Sequence, residues 1–226
     1  MTNPSFAQSI PVRSGVERAT LVRRTYGVVF LGVIVTCVGA AFAMSQPAML
    51  GAVVEHPFLS MIGVFAPLFL VLRNPRQFPQ NVVLTGLFTF AVGVWLAPVL
   101  LVGERMQPGI INQAALLTLG TFGALSMYAV FSKRDFSAWG SFFAIGLIVL
   151  LLTSILNLFF RSAVGGLWIS AAAVFVFGGL LVFDTWRIVR SGQYGEEDYV
   201  AAAVQIYLDL LNMFLAIFSL LGGRRR

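Results

Sequence analysis

Long apolar runs separated by short charged stretches are the feature that most constrains how this 226-residue chain can fold. Only 11% of the residues are charged and 58% are hydrophobic, whereas soluble domains carry about 25% charged residues. About 20 helical residues span the hydrocarbon core of a bilayer. In that core only helices and closed barrels satisfy their own backbone hydrogen bonds. Because the apolar runs are continuous and do not alternate, the sequence predicts an all-α polytopic membrane protein.

Seven apolar segments are long enough to cross a bilayer, which predicts a seven-helix transmembrane domain over residues 26–221. Residues 1–25 are predicted to form a cytoplasmic tail, and residues 222–226 a basic C-terminal tail. The second segment is short and contains Pro67, which is expected to kink it. Gly86 and Gly93, two turns apart, are interpreted as small residues that let helices approach closely. The predicted spans are residues 26–45, 57–72, 81–102, 110–132, 136–158, 163–186 and 200–221.

The basic residues predict the orientation, because cytoplasmic loops retain an excess of Lys and Arg. With a cytoplasmic N-terminus, ten basic residues before the final tail fall inside and two, Arg105 and Arg161, fall outside. Seven spans place Arg224, Arg225 and Arg226 outside, so either this tail violates the rule or the last segment re-enters the membrane. The net charge of +6 does not indicate a nucleic-acid partner, because the basic residues are scattered at helix ends. We expect an integral membrane protein, located in the plasma or inner membrane if it is bacterial.

Sequence motifs typical of catalysis or of tight metal binding are missing from the chain. Cys37 is the single cysteine and His56 the single histidine, so neither an intrachain disulfide nor a Cys/His metal cluster is expected. No nucleophile, general base and orienting residue, the three groups of a typical catalytic site, are predicted to lie at the same depth in the membrane. The chain is therefore not expected to be an enzyme, and no cofactor is predicted.

Two acidic residues lie inside the apolar runs and are the most informative residues of the sequence. Asp184 is near the end of the sixth predicted span, and Asp209 is nine residues into the seventh. A charged Asp at the centre of a spanning helix costs roughly 2.5–3.5 kcal/mol on insertion scales. Gln205 and Asn212, at i−4 and i+3 from Asp209, fall on the same helical face, which Ser219 continues. One polar stripe on an apolar helix indicates that the last helix faces the interior of a bundle.

Asp184 and Asp209 are predicted to meet, because the sixth and seventh spans are joined by roughly fifteen residues and are natural antiparallel neighbours. Two carboxyl groups in hydrogen-bonding reach at low dielectric do not readily both ionise, so the pair would share a proton. Such a pair could sense pH or bind a cation. Two simpler interpretations stay open: Asp184 forms a helix-end ion pair with Arg187 at i+3, and Asp209 is a neutral group hydrogen-bonded to a neighbouring helix.

Three stretches, in this order along the chain, resemble the Bax inhibitor-1 / YccA family of membrane proteins, also called the transmembrane BAX inhibitor motif or Lifeguard family. The last helix has Leu210 and Leu211 where that family often has Phe-Ile, and the tri-arginine tail matches no family pattern. The three stretches are RNPRQFPQNVVLTGLFTFAVG (73–93), FGGLLVFDTWRI (177–188) and IYLDLLNMFLAIFSLLGG (206–223).

The resemblance implies a seven-helix bundle whose last helix is wrapped by the other six. It also implies a pH-dependent calcium leak controlled by two aspartates on the last two helices, whose positions Asp184 and Asp209 occupy. Arg73 is similar to an arginine at the cytoplasmic end of the second helix that would latch to Asp184. Calcium would be the permeating ion and would bind weakly, because two carboxyl groups are too few oxygen ligands for tight binding.

A rival function from another class is a membrane interaction protein without an ion path. Bacterial proteins that this chain resembles are associated with modulation of a membrane-bound protease, and eukaryotic ones with suppression of cell death. In that case the acids would serve packing, and the tails would contact the partner. A small-molecule transporter is not favoured, because no discontinuous helix pair or internal repeat is apparent in the sequence.

Overall fold

The computed structural model describes residues 15–223, and this part of the chain is almost entirely helical. The prediction of an all-α polytopic protein is confirmed. Predicted tail residues 1–14 and 224–226 lie outside the described residues. The described helices are α1 (Gly15–Met44), α2 (Pro47–Glu55), α3 (Pro57–Arg73), α4 (Gln80–Met106), α5 (Ile110–Phe131), α6 (Ser137–Phe160), α7 (Ala163–Arg190) and α8 (Tyr199–Gly223), with a 3₁₀ turn, Glu196–Asp198, before α8.

The second predicted span, residues 57–72, is helix α3, and the region predicted as the loop before it contains a further helix, α2. The other six spans are single helices long and apolar enough to cross a bilayer, whereas α2 and α3 meet at an angle of 97°. The break falls at His56, and Pro57 at the start of α3 has no N–H to continue α2. Pro67 lies within α3 without ending it. The expectation that the chain lacks a discontinuous helix pair is therefore wrong. The bend lies at the start of the predicted span, whereas the kink was predicted at Pro67 within it.

One end of the bundle carries most of the basic residues, and we call it the basic end. The guanidinium group of Arg76, after α3, bonds to Asp198 before α8, and Arg190 Nη2 at the end of α7 lies 3.5 Å from the Val130 carbonyl oxygen in α5. The part of α1 before residue 26, predicted as a tail, is helical from Gly15 and begins at this end. That this end is cytoplasmic stays a prediction from its basic residues, which are Arg18, Arg23, Arg24, Arg73, Arg76, Lys133, Arg134, Arg187 and Arg190.

Helix α8 is a complete crossing and does not re-enter. It begins at Tyr199 near the basic end. At the opposite end, Gly223 approaches Leu167 at the start of α7, and Phe218 packs on Gly103 near the end of α4. Of the two alternatives for the C-terminus, a returning last segment is therefore wrong for the residues up to Gly223.

The last helix forms the core of the bundle, as the resemblance implied. In the most apolar 18-residue stretch of α8, 61% of the residues are buried. The corresponding share is 11% to 39% in the other single spans. Its neighbours are α1, α4, α5 and α7, whereas α3 packs mainly on α4 and α6 on α7. Four helices and not six therefore surround α8, because α3 and α6 form an outer layer.

Candidate functional site

The structure brings Asp184 and Asp209 together in the contact between α7 and α8. Asp209 lies about 15 Å along α8 at 1.5 Å per residue and is only 6% exposed, while the side chain of Asp184 is 13% exposed. The two carboxyl groups face each other closely enough to interact directly. Two ionised carboxylates have no proton to donate, so this contact becomes a hydrogen bond only when one of them is protonated.

One oxygen of Asp209 is left unsatisfied inside the bundle. Within residues 15–223, Asp209 Oδ2 is fully buried and accepts no hydrogen bond. A buried carboxylate oxygen without a donor costs free energy, and a proton on that oxygen removes part of the cost. The geometry therefore favours a carboxyl pair that exchanges a proton.

The predicted polar stripe of α8 faces α7. The hydroxyl of Tyr194, in the loop after α7, donates to Gln205 Oε1 at 2.6 Å, and the Ser170 and Ser219 hydroxyls lie 3.0 Å apart. Burial raises the pKa of Tyr194, so its hydroxyl stays protonated as a donor. Asn212 instead donates to the Leu208 carbonyl of its own helix at 2.8 Å. Gln205 and Ser219 of the stripe therefore contact α7 or the loop after it, whereas the side chain of Asn212 bonds within α8.

Asp184 has a different basic partner from the one the resemblance implied. Arg187 Nη1 lies 3.7 Å from Asp184 Oδ1, as in the simpler interpretation of Asp184. Arg73 ends α3 with an exposed side chain, and between residues 15 and 223 it forms no ion pair with Asp184. Because Arg187 is on the same helix as Asp184, their ion pair cannot hold α3 against α7. The predicted latch is thus not formed in this conformation.

An ion pair that sequence reasoning missed links the loop after α3 to the turn before α8. Arg76 Nε and Nη2 donate to the two oxygens of Asp198 at 2.7 and 3.1 Å, and Asp198 also accepts from Gly195 N at 2.7 Å. The hydrogen bond to Asp198 raises the pKa of Arg76 above its ordinary value. The two residues are 122 positions apart, and each looked like an ordinary loop charge in the sequence.

A second polar contact, also missed, lies on the other side of α8. The Tyr207 hydroxyl is 2.6 Å from Thr36 Oγ1 in α1, and Thr36 Oγ1 also lies 2.8 Å from the Gly32 and 3.1 Å from the Thr89 carbonyl oxygens. The Thr36 hydroxyl has a single proton, which it donates to a carbonyl oxygen. The Tyr207 hydroxyl therefore donates to Thr36 Oγ1. This contact ties α8 to α1 and α4 within the apolar core.

Replacing Tyr207 by phenylalanine should lower the free energy of unfolding by about 1 kcal/mol, because it removes one buried hydrogen bond while Thr36 keeps its carbonyl partners. Reversible unfolding in mixed detergent micelles would measure the change. Tyr128→Phe is the matched control, because Tyr128 is 45% exposed. Equal stability of the two variants would contradict a role for the Tyr207 hydroxyl.

The two carboxyl groups are the whole acidic ligand set at this site. Among the described residues, no three side chains of His, Cys, Asp or Glu gather where they could hold a metal ion. Two carboxyl groups are too few to hold Ca²⁺ tightly, since Ca²⁺ takes six to eight oxygen ligands. Two carboxyl groups alone therefore do not make up a tight Ca²⁺ site.

Comparisons with known proteins identify the relatives of this chain. The family model described as "Inhibitor of apoptosis-promoting Bax1" matches residues 18–226. An uncharacterized membrane protein of Vibrio cholerae is 32% identical, covering 98% of this chain and 97% of the relative. Bax inhibitor 1 of Schizosaccharomyces pombe is 29% identical over 96% of this chain and 82% of its own length. A Golgi anti-apoptotic protein of Vaccinia virus strain Lister is 29% identical over 96% of this chain and 91% of that protein.

Proposed function

The chain belongs to the Bax inhibitor family of membrane proteins, and from this premise we propose that it is a pH-sensitive calcium leak channel gated by Asp184 and Asp209. The observation that carries the proposal is the contact between these two carboxyl groups inside the bundle, where Asp209 Oδ2 has no donor among the described residues. Packing alone does not require two acids in contact in an apolar core. A function that depends on a proton at this pair would explain why two acids are buried here despite the free-energy cost of burying them.

The proposed gate works through the charge of the pair. At neutral pH the pair carries net negative charge, and in the closed state Arg73 leaves solvent and pairs with Asp184, which holds α3 against α7. Protonation removes that charge and weakens the charge-assisted hydrogen bond, so α3 moves away and cations enter. Under this proposal an exposed Arg73 and an Asp184 paired to Arg187, as described above, are what the unlatched arrangement would have. Pro67 and the break at His56 are both candidate pivots for α3.

Calcium flux into liposomes tests the channel directly. Purified protein would be reconstituted with a calcium dye inside, and the external pH varied between about 5 and 8. We expect dye signal above that of empty liposomes, rising as the pH falls, because protonation opens the gate. No flux above empty liposomes at any pH would contradict the channel.

The second candidate, an interaction protein without an ion path, is favoured by the printed names of the relatives. The Vaccinia virus protein is named for anti-apoptotic action and the S. pombe protein for inhibition of Bax, and the second name describes an effect on another protein. The proposed partner here is a membrane protein such as a membrane-bound protease. Absence of calcium flux, together with capture of a partner that truncation of the tails abolishes, would establish this function.

Two arginine variants test the latch and should change flux in opposite directions. Arg73→Gln removes the closing partner, so flux at neutral pH should rise about threefold to tenfold, the factor expected for an ion pair of roughly 1 kcal/mol. Arg187→Gln removes the partner that competes with Arg73 for Asp184, so it should lower the calcium flux at neutral pH. Arg134→Gln, an exposed arginine in the loop before α6, is the matched control. Unchanged flux in Arg73→Gln would overturn the latch while leaving the carboxyl pair untouched.

A further inference from the structure

A cleft at the basic end combines two arginines with an acid and an apolar wall. It measures about 660 Å³ and lies between α1, the loop after α3 and the turn before α8. Arg24, Arg76, Glu197 and Tyr199 line its charged part, and Leu31 and Phe78 line its apolar part. We call it the α1–α8 cleft. None of these residues belongs to the carboxyl pair of the proposed channel.

The two arginines are positioned to bind a phosphate group. Arg76 is 63% exposed and uses Nε and one hydrogen of Nη2 for Asp198, which leaves three of its five N–H donors. These three hydrogens form the Nη1/Nη2 fork that matches phosphate oxygens. The Arg24 guanidinium stacks 5.9 Å from the centre of the Tyr199 ring, which holds it at the edge of the cleft. Both cations therefore keep donors for a ligand.

The charges of the cleft are balanced, which indicates a zwitterionic ligand. Arg24 and Arg76 are opposed by Asp198, already bonded to Arg76, and by the exposed carboxylate of Glu197. A purely anionic group would be repelled by Glu197. A phosphate joined to a primary ammonium group satisfies both signs, because the ammonium has three N–H donors for the Glu197 carboxylate.

The apolar wall of the cleft continues along α1 toward the membrane centre. Leu31, Ile34 and Val38 fall on one face of the helix, and they are 50%, 44% and 55% exposed. They cover about 10 Å along the helix axis. A ligand with its headgroup in the cleft would lay its acyl chains on this face, which a small soluble phosphate compound could not use.

We propose that the α1–α8 cleft binds a phospholipid of the bilayer with a phosphoethanolamine headgroup. Its phosphate contacts Arg24 and the free fork of Arg76, its ammonium group contacts Glu197, and its acyl chains lie on the Leu31 face of α1. The bound lipid bridges α1, the loop after α3 and the start of α8.

Native mass spectrometry of the full-length protein tests this site. The protein in detergent would be mixed with equal amounts of phosphatidylethanolamine, phosphatidylcholine and phosphatidylglycerol of identical acyl chains. We expect at least about threefold more bound phosphatidylethanolamine than either other lipid, because the choline group has no N–H donor and the glycerol group has no cation. Soluble phosphoethanolamine at the same concentration should compete weakly, because it lacks acyl chains.

Two variants with matched controls locate the site. Glu197→Gln should remove the preference for phosphatidylethanolamine over phosphatidylcholine, whereas substitution of Glu55, an exposed acid at the end of α2, by Gln should retain it. Arg24→Gln should lower binding of all three lipids, and Arg134→Gln should not. Equal binding of the three lipids by the native protein, an intact preference in Glu197→Gln, or full competition by soluble phosphoethanolamine would each overturn the proposal.

Discussion

Replacing Asp209 by asparagine is expected to make the calcium flux independent of pH over the range in which the native protein responds. Asparagine has nearly the same shape but cannot ionise, and its amide group would donate permanently to Asp184. Asp184 then stays ionised and available to Arg73, so the gate stays closed. The acid-induced rise in flux should fall by at least about tenfold, measured with the liposome assay from pH 5 to 8, because the group that exchanges the proton is gone.

Asp184→Asn should also remove the pH response but should leave a different level of flux. Asp184 is the acid that pairs with Arg187 here and with Arg73 in the proposed closed state. Without its charge no latch forms, so flux should be constant and close to the acid level of the native protein. Asp135→Asn, an exposed acid in the loop before α6, controls for the loss of one negative charge. A native pH profile in Asp209→Asn would exclude a gate at this pair.

The sequence predicted the carboxyl pair because its signal is local. An ionisable residue in an apolar helix stands out from its neighbours, and the steps from Gln205 to Asp209 to Asn212 define one helical face without knowledge of the fold. A short connection then makes the last two helices neighbours. Burial of Asp209 and its contact with Asp184 are what these local signals lead one to expect.

Other features were missed because their signal depends on tertiary structure. Arg76 and Asp198 lie in separate loops, and only the packing of α3, α4 and α8 brings these loops to one end. Tyr207 looked like one more aromatic residue of an apolar helix, since nothing near it in the sequence indicates Thr36 as a partner. Helix α2 was missed because its 9 residues are too few to be recognised as a membrane span.

The prediction of a close helix contact at Gly86 and Gly93 is confirmed for Gly93 and wrong for Gly86. Both glycines lie on α4, and their spacing predicted a close helix contact. Only Gly93 makes one: a Cβ atom there would overlap the Thr36 carbonyl oxygen and lie 2.8 Å from Ala40 N, both in the backbone of α1. A Cβ atom at Gly86 would meet no atom within 4 Å. Which of the two glycines contacts α1 depends on where α1 and α4 cross.

Alanine substitutions at the two glycines are therefore expected to change stability in opposite directions. Gly86→Ala should raise the free energy of unfolding by about 0.5–1 kcal/mol, because alanine has the higher helix propensity and no neighbour is displaced. Gly93→Ala gains the same propensity but forces the backbones of α1 and α4 apart. Its net loss should exceed about 3 kcal/mol, the upper range for overpacked cores, or more than a hundredfold in the folding equilibrium.

Unfolding of the two variants in mixed detergent micelles gives a measurement in which each controls for the other. Both change Gly to Ala in the same helix, so propensity and the unfolded state contribute equally to the two values. Their difference therefore isolates the contact of α4 with the α1 backbone at Thr36. Gly39 makes the reciprocal contact, since a Cβ atom there would overlap the Phe90 carbonyl oxygen. If Gly93→Ala proved as stable as Gly86→Ala, α1 and α4 would have to lie further apart than these contacts require. The hydrogen bond from Tyr207 to Thr36 on α1 would then need a different arrangement of the helices.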